Sequence, residues 1–444
     1  MKDLPYKIAN IIRKYLGNNF VSFLKYLYYF IGFFLSRLIF KPVLKIYGSY
    51  KQISLEPLVG FKNSHFGYYD ASSISSCNKF IINISFNERE FHEAIISIHR
   101  LDACNQNSLV CEKMPIFSTY SRAHNYQQAS LVRWVNSSDK KNRSFIYNDI
   151  ANNYLFSNLI TFNTENLEVE NRKKFNYPIQ TISNLTSNAI SIDYKRLSYF
   201  RKEYSYNNFS DQSDLFLEFP VFEFCLSSGK IKRKFDFFNI NNTLINSSNI
   251  DLLNPQLSNK WNINHACYSP YSDNFVFLLR IYDNKGRRIS HLYYCSANGD
   301  LIHCIEGTIS HYCFIDDDLL FIWGNSIGHN KFKCSYFIYK ISENTIINLP
   351  KLADFKDGHP CYSEPLNSVF FDTYPNFFRE VSLYKYKLDT EEIEKIKKIR
   401  IPLKFYGESR IDLHPRINKK GNILSFDTYN KFNNSKMQAI LKIF

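Results

Sequence analysis

Apolar and polar positions along this chain follow two different rhythms. In the first 48 residues, Ile8, Ile11, Ile12 and Tyr15 recur at helical spacing beside Lys7, Arg13 and Lys14. The stretch "FVSFLKYLYYFIGFFLSRLIFKP", Phe20 to Pro42, is then apolar almost throughout. From about Tyr50 onward the helical rhythm stops. Short runs such as "FIINISF", "FVFLLRIY", "LFIWG", "SVFFDTY" and "NILSFDTY" are separated by clusters of Asn, Asp, Ser, Gly and Pro. Closely spaced strand and turn signals of this kind predict an all-β barrel, sandwich or propeller. The division expected is an N-terminal helical segment, 1–48, and a β domain, 49–444.

A recurring phrase selects among the β architectures. His265, His311, His359 and His414 stand 46, 48 and 55 residues apart and are followed by related text. A period of roughly 40 to 50 residues is that of four-stranded propeller blades. Earlier copies begin at His65 and His124, with a weaker one near Asn188, which makes seven units. The predicted fold is therefore a seven-bladed β-propeller preceded by helix, with the span from Tyr206 to Lys260 too long for one unit. In a propeller the first strand of each blade lines the central channel. The histidines then enter that strand at the channel mouth, and the apolar run after each turn is the buried second strand. One such histidine reads best as a satisfied core residue; several in register point to a site.

Composition changes the picture in three places. Aromatics form 17% of the chain, with 40 Phe and 32 Tyr, which suits strands packed face to face. The net charge of +14 suits an acidic ligand as well as simple solubility, and no zinc-finger, helix-turn-helix or RNA-sheet signature points to nucleic acid. Ten scattered cysteines without a C-x-x-C pair read as reduced thiols, which favours a cytoplasmic or inner-face location.

The N-terminal segment has three readings. Lys25 and Arg37 bracket an uncharged run of 11 residues, short of the roughly 20 that span a bilayer. That favours a basic amphipathic anchor in the membrane interface. Helices packed on the main domain, or an uncleaved signal-anchor with snorkelling Lys25 and Arg37, are the alternatives.

"INHACYSP", "DGHPCYSEP…FFDTYP" and "DLHPR…SFDTY" resemble the blade signatures of propeller polysaccharide lyases, notably oligogalacturonate lyase. The outline is also similar to ulvan lyases, and TolB-like propellers share the Pro-Ser phrase. The resemblance covers roughly residues 260 to 430. It implies β-elimination at a uronate of an acidic polysaccharide or oligosaccharide, and a divalent metal, typically Mn2+, held by channel histidines. The matching positions are His265, His359 and His414, with His311 a further one. Elimination needs the carboxylate neutralised, a base for the α-proton and an acid for the leaving oxygen. Arg280 or Arg416 would orient the carboxylate beside His65, with His124 or Tyr206 as base and Arg196 also in the catalytic group. Each of these arginines and tyrosines can equally be a blade-to-blade contact. "YND" at Tyr147 and "FDTY" at Phe371 read as turn-capping aspartates, and Asp372 and Asp427 share one repeat place. A monomeric lyase is the leading reading. A non-catalytic glycan- or protein-binding propeller in surface-polysaccharide assembly is the alternative.

Overall fold

The computed structural model describes residues 4–39, 44–48, 50–105, 108–136, 139, 141–210, 214–283, 287–326 and 333–443. From Leu44 onward the chain forms six antiparallel sheets arranged as a β-propeller. The apolar runs become second strands, as their continuous hydrophobicity requires, since both faces are covered. Phe275–Tyr282 lies between Trp261–Tyr268 and Arg288–Cys295. Ser368–Asp372 lies between Cys361–Ser363 and Glu380–Lys387. Ile423–Asn430 lies between Arg416–Ile417 and Ser435–Lys442. Facing layers bury each other, as where Phe370 and Val381 of one sheet meet Phe426 and Ala439 of the next.

One sheet has seven strands. Its long strand, Leu301–Phe314, pairs with Arg288–Cys295 through its first half and with Leu319–Ser326 through its second. The exchange occurs at Gly307, where a Cβ would overlap the carbonyl oxygen of Asn325, so only glycine fits. The ring is closed by chain termini: Gln52–Leu55 pairs with Ser435–Lys442 as an outer strand.

The stretch from Tyr206 to Lys260 resists phasing because helices interrupt it. Helix Phe237–Ser248 is capped by Asp236, which accepts from the Asn239 amide, and ends at Asn249 in the left-handed region. The N-terminal segment is one helix, Leu4–Ile39, rather than a pair. Its side chains before Phe20, and residues 1–3 and 40–43, lie outside the described residues. Leu44–Ile46, inside the predicted helical segment, is a fifth strand on the edge of Ile393–Arg400, whose outer backbone groups would otherwise be unpaired. No helix among the described residues is long and apolar enough to cross a membrane.

Candidate active site at the channel mouth

The backbone bends at three of the four histidines that meet here. The register of Trp261–Tyr268 against its neighbour shifts between Asn264 and Cys267, and that of Leu301–Phe314 shifts between Ile309 and Tyr312. Such bulges re-aim side chains, here those of His265 and His311. His265 and His414 also hold φ of +53° and +45°, a left-handed conformation that is costly for a residue with a Cβ. His359 and His414 precede the short inner strands Cys361–Ser363 and Arg416–Ile417. The rings form an arc with centroid separations of 5.4 Å from His265 to His311, 4.3 Å on to His359 and 4.2 Å on to His414. Tyr68 and Tyr69 fill the centre of this arc. Tyr68 stacks on His265 at 5.2 Å with its hydroxyl bonded to Nδ1, and the Tyr69 hydroxyl donates to the Tyr312 carbonyl.

Two aspartates hold the arc in place. Asp372 accepts from the backbone amides of His359 (2.7 Å), Leu413 (2.8 Å) and His414 (3.0 Å), joining one sheet to the next. It also accepts from His359 Nδ1 at 2.9 Å. Burial alone would lower the His359 pKa, but the Asp372 carboxylate raises it, so this spot favours a positive charge. Asp427 does the equivalent work one sheet later, accepting from the Phe66 amide (3.0 Å) and from Arg416 (2.9 Å). Burial would raise the Asp427 carboxyl, yet Arg416 holds it well below the usual carboxylate range. The shared repeat place of these aspartates is therefore a joint between sheets.

His359, Asp412 and His414 offer ligand atoms within 4.8 Å of one another, all buried. His359 Nε2 and His414 Nε2 have no hydrogen-bond partner among the described residues. Burial, with His359 alongside, pushes the His414 pKa down to about 3 and keeps that ring neutral. A neutral imidazole, a second imidazole already biased toward a cation by Asp372, and a carboxylate make a donor set that fits a divalent first-row metal. His265 and His311 are otherwise engaged. His265 is bonded to Tyr68, and His311 Nδ1 lies 2.9 Å from Asp357, whose carboxyl burial raises to about 6.

Arginines and tyrosines surround this cluster. Arg410 pairs with Asp412 at 2.7 Å and donates to the Tyr204 hydroxyl at 2.9 Å. Arg201 lies over the Tyr204 ring and pairs with Glu203 at 2.8 Å. Arg288, half-buried, and Arg280, wholly buried, are close enough to Arg201 for mutual repulsion. Burial first, then Arg288 and Arg201, pushes the Arg280 pKa well below its ordinary value. Tyr374 meets His359 at 5.4 Å and His311 at 6.2 Å. Arg201, Arg280, Arg288 and Arg410 are thus matched in number by Glu203, Asp357, Asp372 and Asp412.

Of the remaining sequence candidates only Arg280 borders the cluster, and all are held by other partners. His65 and His124 form their own pair, Nε2 to Nε2 at 2.7 Å, with His124 Nδ1 bonded to the Phe91 carbonyl. Arg416 is consumed by Asp427 and the Gly67 carbonyl. Arg280 donates to Asn264, Ser290 and the Ile309 carbonyl, within a strand rather than at its end. Arg196 lies in helix Tyr194–Phe200, its guanidinium 4.0 Å over Trp261. Tyr206 is buried against Tyr194 and accepts from Asn148. Asp412, Asp357, Arg410 and Tyr374 were missed. The signal was D-x-H, present in "DGHP" and "DLHP": in extended backbone, residues two apart face the same side. Cys267, Cys313 and Cys361, each two residues beyond a histidine, line a cavity of about 430 Å³ together with Tyr69 and Tyr312.

No protein-family model and no curated protein matches the chain. Among solved structures it is similar to an oligogalacturonate lyase from Vibrio parahaemolyticus, at 11% identity and a TM-score of 0.52 over 91% of this chain and 99% of that one. It is also similar to an oligogalacturonate lyase in complex with manganese, at 9% identity and a TM-score of 0.50 over 91% and 98% of the two chains. These likenesses show the fold alone, a β-propeller.

Proposed function

We propose that this chain is a seven-bladed propeller lyase that cleaves a uronate-containing glycan by β-elimination. The seven-stranded sheet counts as two blades sharing one strand, and the ring begins at Leu44, whose strand lies on the edge of Ile393–Arg400. The observation that carries the reading is the buried group His359, Asp412 and His414, whose ligand atoms lie within 4.8 Å of one another and whose two Nε2 atoms have no partner among the described residues, with Arg288 and Arg410 close by. Those three residues would hold a divalent metal, manganese by resemblance, which would supply neutralising charge for the uronate carboxylate. Arg288 and Arg410 bind and orient carboxylates of the chain being cleaved. His311, its Nδ1 fixed by Asp357, takes the proton α to the carboxylate at Nε2. The electron pair forms the new C=C bond as the glycosidic oxygen leaves, and the Tyr374 hydroxyl donates a proton to that oxygen. Burial keeps the Tyr374 pKa well above its ordinary value, so it remains a donor. His311 takes the place of His124 and Tyr206 as base because those two are held in separate pairs.

The test is metal content and elimination by the purified chain on uronate oligosaccharides, followed as absorbance of the unsaturated product. Asp412→Asn and His414→Ala should each lose metal, and His311→Ala should keep metal while losing at least about 10²-fold in rate. Wild-type protein with neither metal nor elimination sinks the reading.

A second reading rests on burial. His265, His311, His359, His414 and Asp412 are each at most 4% exposed, and Tyr68 and Tyr69 fill the space between them. In a non-catalytic, glycan- or protein-binding propeller the same groups would be a polar core that joins the blades. Replacing them would then lower the melting temperature and leave glycan binding intact.

A further inference from the structure

The N-terminal helix rests on the same face of the propeller as the histidine arc. The Tyr29 hydroxyl donates to the Pro375 carbonyl at 3.3 Å, and Pro375 follows Tyr374 of the site. Tyr26 and Tyr29 pack on Tyr406 at 5.6 and 5.9 Å, in the loop that leads through Arg410 to Asp412. Gly32 lies so close to Phe377 that a Cβ would overlap its carbonyl oxygen, and Arg400 donates to the Ser36 carbonyl at 3.4 Å. Positions 26, 29, 32 and 36 form one stripe, and the helix docks through it.

From Phe20 onward the sides of the helix away from that stripe are apolar and exposed. Phe23, Leu27, Phe30, Ile31, Phe34 and Leu38 are exposed, in a helix with five basic residues and no acidic one. Thirty-six residues give a length of about 54 Å. A second helix would pair with a narrow seam at heptad spacing. Here Phe23, Leu27, Phe30 and Phe34 alone would make such a seam, but Tyr28, Ile31, Leu35 and Leu38 widen the exposed apolar face well beyond it, and the all-positive charge opposes association with an identical helix. Apolar bulk together with positive charge is what the interface of an anionic bilayer accepts, and joint use of the two is what gives lasting attachment.

We infer that this helix lies in the headgroup region of an anionic membrane and holds the channel mouth beside it. The substrate would then be an acidic glycan attached to that membrane rather than a free oligosaccharide. The substrate clause rests on the lyase reading; the attachment does not.

The experiment uses the full chain and vesicles of phosphatidylcholine with or without phosphatidylglycerol. Wild type should sediment with the anionic vesicles, and less so at high salt. A variant with Phe23, Leu27, Ile31 and Phe34 each replaced by Ser should keep its melting temperature and lose at least about tenfold in binding. Equal binding by wild type and variant overturns the attachment. So does failure of wild type to bind while the same four substitutions dissociate a dimer in sedimentation velocity, which would make a second copy the occupant. Gly32→Val should undock the helix yet retain vesicle binding. Wild type should cleave a lipid-tethered uronate oligosaccharide in vesicles at least about tenfold faster than the free one, and Gly32→Val should lose that preference. Equal rates for wild type overturn the substrate clause. Cleavage of neither substrate removes the lyase reading and that clause with it, while vesicle binding still decides the attachment.

Discussion

At the scale of single residues, Asp372 ties the candidate chemistry to the architecture. Its two oxygens receive three backbone amides and one imidazole, and the same carboxylate makes His359 a favoured place for positive charge. Asn at this position keeps the shape but turns an NH2 toward groups that all donate. Asp372→Asn is expected to weaken divalent metal binding about 10- to 100-fold, as measured by titration, because the ligand imidazole loses its anionic partner. It should also cost about 1–3 kcal/mol of stability in a denaturant melt. Asp427→Asn is the control: it breaks the equivalent joint and unpairs Arg416, so it should destabilise without the same selective loss of metal affinity. Equal metal affinity in wild type and Asp372→Asn would show that His359 is not a ligand. The histidines were legible because repetition marks them. Their unequal roles were not, because bulges and left-handed φ values at His265 and His414 decide where each ring points. The sequence carries no local mark of such bends, since histidine is not a residue that favours them.

At the scale of strands, the repeated phrase located the second strands from Phe275, Ser368 and Ile423 onward, where a continuous apolar run means burial on both faces. It could not show that Leu301–Phe314 serves two neighbours, because the division rests on close approach at Gly307 and not on a break in the pattern. Nor could it phase the span after Tyr206, where two helices add residues that no repeat accounts for. Charged outer strands mislead in another way. "IEKIKKIR", Ile393–Arg400, reads as a strand with its lysines in water, yet Lys397 is wholly buried, 5.1 Å over the Phe426 ring with Nζ on Gln52. Burial lowers its pKa to about 7 from an ordinary 10.5. Between those values the unfolded chain binds more protons than the folded one, so this group makes stability rise with pH from about 7 to 10.5. Lys397→Met fills similar volume without charge. It is expected to stabilise the protein by up to a few kcal/mol near pH 7 and to flatten the rise toward pH 10. Urea midpoints across that range check it; an unchanged slope would mean that Lys397 is not the group responsible.

At the scale of the whole molecule, the ring depends on a strand that arrives from the far end of the chain. Gln52–Leu55 adds to Ser435–Lys442, and Leu55 and Ile53 pack with Ile81, Ile423 and Ile440 in a core between the first and last sheets. Loss of that strand leaves an unpaired edge at the one seam where chain connectivity does not already hold neighbouring sheets together. The N-terminal helix, by contrast, lies on the loops around Pro375 and Tyr406 and contributes no strand to closure. Two truncations separate these roles. A chain of residues 44–444 retains both early strands and should melt within a few degrees of the full chain, in one transition. A chain of residues 56–444 loses them and should melt on the order of 10 °C lower, because several kcal/mol of apolar burial and the edge hydrogen bonds go together. Calorimetry on the two proteins reads the difference. If 56–444 unfolds at the temperature of 44–444, the seam is held by side chains across the sheets. In that case the mouth residues should also keep their arrangement, and metal affinity in 56–444 should match that of the full chain.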